Sequence, residues 1–341
     1  MKKSNVLYLD AYNLLIATNA VSYMTDGNSN PCGMYIISLN LIRTFIEKFK
    51  PIKVFFVLDG PEAGQRRREL YPNYKNKRRV TERESKVQIM EGDDNMVYGV
   101  EGAFQNQMIK IYEFLKLLPI TVVSIPFAEA DDVISYLSLK NKEEFENIII
   151  SNDRDYLQLI QEGIQVYRWK MKKLYTEKDF IEEHIILPSN YIYKKILLGD
   201  TSDVIEGIKG IGKKTFDNFA SQLSQNTFEN IDVFFEHFKV YDFTGYKTRE
   251  KNAFQTAFKE ENKNTMQILY DLMKLDEKCM TEEQIGLLKE QIEEQYPKVY
   301  SRFVARAKLL KDVFSKLYNG FDEDKWLQPF VFVKNNTKVN V

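Results

Sequence analysis

Short runs rich in Val, Ile and Phe recur along the first half of the chain, near residues 6–10, 53–58, 120–125, 147–152 and 164–168. Between them, near 34–49, 104–118 and 129–140, apolar positions take helical spacing. This alternation predicts βαβ units and a mainly parallel sheet. From about residue 177 the pattern is helical almost throughout, with amphipathic stretches at 281–294 and 297–318. The expected fold is therefore an α/β domain over 1–176 followed by a helical domain over 177–341. Residues 91–102, from Glu91 to Gly102, follow neither period and are expected to form a loop.

Composition narrows the class. A chain of 341 residues, 44% hydrophobic and 13% aromatic, can bury a large core and fold alone. Lys and Arg number 48 against 49 Asp and Glu, so a passively basic DNA-coating protein is disfavoured, although local asymmetry remains open. Only Cys32 and Cys279 are present, and no Cys/His cluster has zinc spacing. No signal-like apolar run follows Met1-Lys2-Lys3. These features lead to the expectation of a reduced, cytoplasmic, soluble monomer without membrane contact. His184 and His237 lie far from any Ser or Cys nucleophile motif, which removes support for a triad hydrolase and leaves both as surface or packing residues.

The polar residues that close the apolar runs are mostly carboxylates. Asp10 ends Val6-Leu7-Tyr8-Leu9, Asp59 ends Val54-Phe55-Phe56-Val57-Leu58, and Asp153 follows Ile148-Ile149-Ile150-Ser151-Asn152. Glu129, Asp131 and Asp132 stand at a helix start, and the pairs Asp153/Asp155 and Asp200/Asp203 complete a set of nine. Strand ends of an open α/β sheet point into one crevice. So many like charges repel unless cations bridge them, and an all-oxygen donor set selects Mg²⁺ or Mn²⁺. Taken singly, Asp10 or Asp59 equally suits a helix cap, and Glu129 equally suits first-turn compensation of the helix dipole.

Two further features point to a polyanion. Between Arg66 and Lys86 stand Arg66, Arg67, Arg68, Lys75, Lys77, Arg78, Arg79, Arg83 and Lys86 against Glu69, Glu82 and Glu84, a surplus of six positive charges. Tyr71 and Tyr74 interleave with them and suit stacking on unpaired bases. The alternative is a solvated helix face. Downstream, Gly207-Ile208-Lys209-Gly210-Ile211-Gly212-Lys213-Lys214-Thr215 forms a tight turn opening a helix, whose free backbone N–H groups beside lysines suit a nucleic-acid phosphate. Glycine spacing alone is weak; its place directly after Asp200 and Asp203 is what makes it specific.

Over roughly residues 5–220 the chain resembles the flap endonuclease superfamily, especially the bacteriophage 5′-to-3′ exonucleases and phage ribonuclease H. The carriers, in family order, are Tyr8-Leu9-Asp10; Asp59 with Arg67, Tyr74-Lys75 and Arg78; Glu129-Ala130-Asp131-Asp132; Ser151-Asn152-Asp153-Arg154-Asp155 through Leu159; and Gly199-Asp200-Thr201-Ser202-Asp203 leading into Gly210-Ile211-Gly212. The resemblance implies a PIN-like nuclease domain, an arch or clamp at about 64–105, and a duplex-gripping helix-three-turn-helix at about 200–222. It implies two or more Mg²⁺ ions, replaceable by Mn²⁺. Asp10, Asp59, Glu129, Asp131 and Asp153 would hold the tighter ion and Asp155, Asp200 and Asp203 the second, with Asp132 assisting either. Lys75 and Arg78 would polarise the scissile phosphate. Arg67, Lys77 and Arg79 would line the nucleic-acid path, and Gly207, Gly210, Gly212, Lys213, Lys214 and Thr215 would bind the duplex, where relatives also hold K⁺. Two departures are visible: Val204 stands where relatives commonly carry Asn, and residues 80–103 do not read as a clean helix.

The implied activity is structure-specific 5′-nuclease cleavage of flaps, nicks and RNA primers in DNA replication by two-metal phosphodiester hydrolysis. The implied setting is a phage-encoded protein in host cytoplasm, with a sliding clamp or single-strand-binding protein as candidate partner. Lys325-Trp326-Leu327-Gln328-Pro329-Phe330 reads either as a docking peptide or as a packed tail. The rivals are a PIN-type RNA endonuclease, which would not require the hairpin after Asp203, and a catalytically silent structure-specific DNA-binding protein, against which all nine carboxylates speak.

Overall fold

A computed structural model describes residues 3–20, 24–25, 30–75, 102–295, 300–311, 321–333 and 338–341. Lys77, Arg78, Arg79 and most of the expected arch lie outside the described residues.

The five expected strands form as β1 (Ser4–Asp10), β2 (Lys53–Asp59), β3 (Thr121–Ile125), β4 (Phe145–Ile150) and β5 (Ile164–Arg168), all parallel, and β6 (Lys173–Tyr175) adds an antiparallel edge. Their order is β3-β2-β1-β4-β5-β6. Alternate side chains feed two cores, as the pleat requires. Val6, Tyr8, Phe55, Val57 and Val123 enter one, while Leu7, Leu9, Val54, Phe56 and Ile148 enter the other. With both faces covered, the strands read as nearly continuous apolar runs.

The described helices in the first half are α1 (Ala11–Asn19), α2 (Gly33–Phe49), α3 (Gln65–Leu70), α4 (Ala103–Leu115) and α5 (Ala130–Asn141). Those in the second half are α6 (Glu177–His184), α7 (Tyr191–Leu198), α8 (Lys213–Gln225), α9 (Ile231–Lys239), α10 (Thr248–Ala257), α11 (Glu260–Met273), α12 (Glu282–Glu294), α13 (Arg302–Lys311) and α14 (Glu323–Leu327). The first core runs without a break from Val6 on the sheet to Ile292 on α12, so the helical half packs on the sheet and fixes its open end. The second core takes in Trp326, Leu327 and Phe330, and Trp326 Nε1 donates to Asn40 Oδ1 (2.7 Å). The segment 325–330 is therefore a packed tail.

Edge strand β3 is closed by side chains. Gln295 accepts from Val122 N–H (3.0 Å) and donates to Val122 C=O (2.8 Å), and Gln291 does the same at Ser124 (3.1 and 2.8 Å). Each amide imitates a peptide group and so covers a strand edge that would otherwise be open to pairing. Asp200 lies in a short hairpin of β7 (Gly199–Asp200) and β8 (Ile205–Glu206). One residue of the expected duplex grip falls differently from expectation. Gly207 is pressed against the main chain, since a Cβ there would meet Leu198 C at 2.3 Å, so its smallness serves packing.

Candidate metal centre and nucleic-acid interface

The order of parallel strands reverses direction between β1 and β4, and a crevice opens beyond their carboxyl ends at such a point. Asp10 and Asp59 are the last residues of β1 and β2, Asp153 follows β4, and Glu129 is the N-cap of α5. Capping and ligand geometry coexist. Asp10 Oδ1 accepts from Asn13 N–H (3.2 Å) at the start of α1, while Oδ2 accepts from Ser151 Oγ (2.9 Å). Asp59 Oδ1 accepts from Ala130 N–H (2.7 Å), tying β2 to the first turn of α5. Burial, and then Asp153, push the Asp10 carboxyl up to about 7. Burial likewise raises Asp59, and the charges of Glu129 and Asp131 add to it while the Ala130 N–H and Lys75 oppose.

Two compact carboxylate groups stand at this end of the sheet. In the first, oxygens of Glu129, Asp131 and Asp132 lie within 4.8 Å of one another. Arg67, 2% exposed on α3, fills their centre: it pairs with Glu129, and reaches Asp131 at 3.1 Å and Asp132 at 2.7 Å, while its Nε donates to Leu272 C=O (3.2 Å) on α11. Asp132 also accepts from Glu129 N–H (3.0 Å), closing a capping box. Lys75 Nζ (2.6 Å) and Tyr74 OH (3.0 Å) donate to Glu129 as well. Against its burial, Arg67 and Lys75 hold the Glu129 carboxyl down to about 2. Burial raises Asp131 and Asp132, the latter to about 7, despite the pull of Arg67.

In the second group, oxygens of Asp155, Asp200 and Asp203 lie within 4.8 Å of one another. Here the enclosed cation is Lys195, 6% exposed on α7, whose ammonium pairs with Asp155 and with Asp200 (2.9 Å). Burial raises Asp155 to about 6, with Lys195 opposing. Asp200 goes the other way, to about 2: Lys195 and the Ser202 N–H and hydroxyl outweigh its desolvation. Lys75 joins the groups, for its N–H donates to Asp203 C=O (3.0 Å) while its ammonium sits on Glu129.

A family model for the 5′-3′ exonuclease, N-terminal resolvase-like domain, matches residues 5–185, more than half of the chain. The chain belongs to the 5′–3′ exonuclease family. It is a nuclease, a phosphodiester hydrolase. A 5′-3′ exonuclease of Aquifex aeolicus is 30% identical over 238 residues, 70% of this chain and 69% of that protein. One of Buchnera aphidicola from Acyrthosiphon pisum is 28% identical over 236 residues, 68% of this chain and 76% of that protein. Among solved structures, a mutant of the phage T5 5′-exonuclease matches with a TM-score of 0.59 at 15% identity, covering 85% of this chain and 99% of the other, a likeness of fold.

Within this family fold, two residues stand elsewhere than the sequence predicts, and one is new to the site. Arg67, expected on the nucleic-acid path, is buried among three carboxylates and cannot meet a phosphate there. Tyr74, expected to stack on bases, is also buried, with its hydroxyl on Glu129. Lys195 was not anticipated at all. Its one signal is position: five residues before Asp200, at the end of a helix whose other side is apolar. The hairpin reading keeps its surface. Gly210, Gly212, Lys213 and Lys214 are exposed and Thr215 partly so, and α8 begins at Gly212 with no side-chain cap on its first N–H groups. Val204 sits in left-handed backbone at φ 62°, which Asn tolerates and a β-branched residue does not.

Proposed function

We propose that the chain is a structure-specific 5′-nuclease cutting DNA at junctions of single and double strand, as in flaps, nicks and RNA-primed ends, with Mg²⁺ as its metal. The observation that carries this is the pair of carboxylate groups at one sheet end, stitched together by Lys75. Their donor set suits hard divalent ions: it is all oxygen, largely buried, and carries more carboxylates than its enclosed cations neutralise. Asp10, Asp59, Glu129, Asp131 and Asp153 would hold one ion and Asp155, Asp200 and Asp203 the other, with Asp132 supporting the first through its hydrogen bond to the Glu129 N–H. Such ions supply a water of lowered pKa and charge for an in-line displacement at phosphorus.

The chain's own groups do the rest. Lys75, at the seam of the two groups, is placed to bind the phosphate at the scissile bond and steady its developing charge. Lys213, Lys214 and the uncapped start of α8 hold a duplex phosphate and set the distance from grip to cut. A phage T5 flap endonuclease solved with DNA and metal ions, TM-score 0.60 at 17% identity, supports DNA as substrate through its fold. The test is cleavage of end-labelled flap, nicked, blunt and RNA-primed substrates with Mg²⁺ and with chelator. Magnesium-dependent release of 5′ fragments at the junction is the expected result. Cleavage confined to structured RNA, or none with any of them, would overturn the reading.

A further inference from the structure

On the proposed nuclease reading, we propose that Phe127 is a stacking contact for an unpaired nucleobase and makes the enzyme prefer substrates with a strand junction. The residue lies in the turn between β3 and α5, two positions before Glu129. Ala128 N–H donates to Ile125 C=O (3.1 Å), Pro126 takes the second place of the turn and Phe127 the third, with φ 62°. A turn of this form favours Gly or Asn at that place. Phe127 nevertheless keeps a large ring there, 51% exposed.

The root of this ring is held from four sides. Besides the turn bond, Phe127 N–H donates to Pro61 C=O (2.8 Å), Gly60 N–H to Ala128 C=O (3.0 Å), and Gln284 Nε2 to Pro126 C=O (3.1 Å). The loop it pairs with follows Asp59 directly, so the backbone that carries the ring lies where the segments leading from Asp59 and into Glu129 meet. Gly60 lets them meet, since a Cβ there would lie 1.7 Å from Ile125 O. A lone exposed hydrophobe is ordinary on any surface. One fixed in unfavourable backbone beside two metal ligands is not, because strain of this kind persists where the surrounding structure enforces it and collects at functional sites. Val240, Phe303 and Phe332 are also exposed, but none is in left-handed backbone. Ile185 shares both features, yet its left-handed backbone is the usual close of a helix, here α6, and its turn is not tied to the segments of Asp59 and Glu129.

The ring's chemistry selects its ligand. It offers an apolar π-face and no charge, which suits a base and not a phosphate, and every base has such a face. A rigid platform also loses little freedom on binding. The base available at the rim of a nuclease crevice is one that duplex pairing has released.

The experiment compares the wild-type protein with Phe127→Gly, Phe127→Leu and Phe127→Trp on 5′-flap and nicked DNA. It follows Tm, kcat/KM and the fluorescence of 2-aminopurine at the first unpaired position, with Ca²⁺ in place of Mg²⁺ for binding. Expected are an equal or higher Tm for Phe127→Gly, a loss of about tenfold in its kcat/KM on flaps, near-wild-type values for Phe127→Trp, and 2-aminopurine quenching that disappears in Phe127→Gly. Unchanged flap cleavage and quenching in Phe127→Gly would overturn the inference while leaving the nuclease reading intact. So would a lost activity that tracks a lowered Tm, since the ring would then be structural. A wild-type protein that cuts no substrate would instead overturn the nuclease reading itself.

Discussion

The first carboxylate group closes on an arginine and the second on a lysine, and the two cations hold their partners in different ways. Arg67 presents a planar fork, engages Glu129, Asp131 and Asp132 together, and is anchored on a third element through Leu272. Lys195 presents one ammonium that touches Asp155 and Asp200. Its partners come from separate elements, Asp155 from the turn after β4 and Asp200 from β7, whereas Glu129, Asp131 and Asp132 share one helix start. On the proposed metal reading, the first group is a fixed frame that would keep Arg67 while Glu129 and Asp131 share an ion with Asp10, Asp59 and Asp153, and the second is a site whose resident charge a metal ion would replace. An ammonium gives up two contacts easily; a buried guanidinium with four does not.

The largest effect should come from removing a ligand on either side. Asp131→Asn and Asp200→Asn are each expected to lower single-turnover cleavage by at least about 10²-fold with DNA affinity nearly unchanged, because each removes charge from the site and none from the basic surface. Turnover close to wild type in either, at moderate Mg²⁺, would detach that group from catalysis.

Arg67→Ala should cost about 3–5 kcal/mol of stability, the usual penalty for leaving buried charge without its partner. Lys195→Ala should cost less, and saturating Mg²⁺ should restore its Tm by occupying the space between Asp155 and Asp200. Equal rescue of both variants by Mg²⁺, read by thermal melts, would erase the distinction drawn between the groups.

Titration sharpens it further. Asp10, pushed up to about 7, and Asp155, at about 6, bind more protons folded than unfolded. Stability of the metal-free protein should therefore fall as pH rises through the window from about 4 to about 7. Glu129, held at about 2, works in the opposite sense: its contribution is present above its unfolded value and is lost as pH falls toward 2. Chemical denaturation in chelator should show the decline between pH 4 and 7, and Mg²⁺ should flatten it by binding the ionised carboxylates. A metal-free stability that climbs across this window would count against the clustered carboxylates.

The smallest effect concerns the loop that carries Asp203. Val204→Asn removes a β-branched side chain from φ 62° and should stabilise by about 0.4–1 kcal/mol, with cleavage unchanged. A lower Tm would mean that the Val204 side chain holds the loop by packing.

Much of this was legible in the chain. Asp10, Asp59 and Asp153 were readable as strand-end residues because β-strands announce themselves locally, and the end of a parallel strand faces the crevice whatever packs around it. β6 was not readable, since its three residues carry too little pattern. Helix α1 was missed for a related reason: Ala11–Asn19 is apolar on more than one face and gives no clear period. Arg67 and Tyr74 were misplaced because a cation and an aromatic within a basic run look like surface residues. Nothing local shows that three carboxylates from residues 129–132 arrive to bury them.

The sequence by itself determined the parallel sheet, the order of the nine carboxylates along it, the hairpin before α8 and the helical second half, because each rests on periodicity or on turn chemistry within a few residues. Only the tertiary structure decided which cations those carboxylates enclose, that Gln291 and Gln295 close the β3 edge from 167 and 173 residues away, and that Phe127 stands exposed in a turn tied to the segment after Asp59. Side chains of that kind have no preferred state of their own. Their burial or exposure follows from charges and backbone groups that distant segments bring beside them, and the folded core sets those distances.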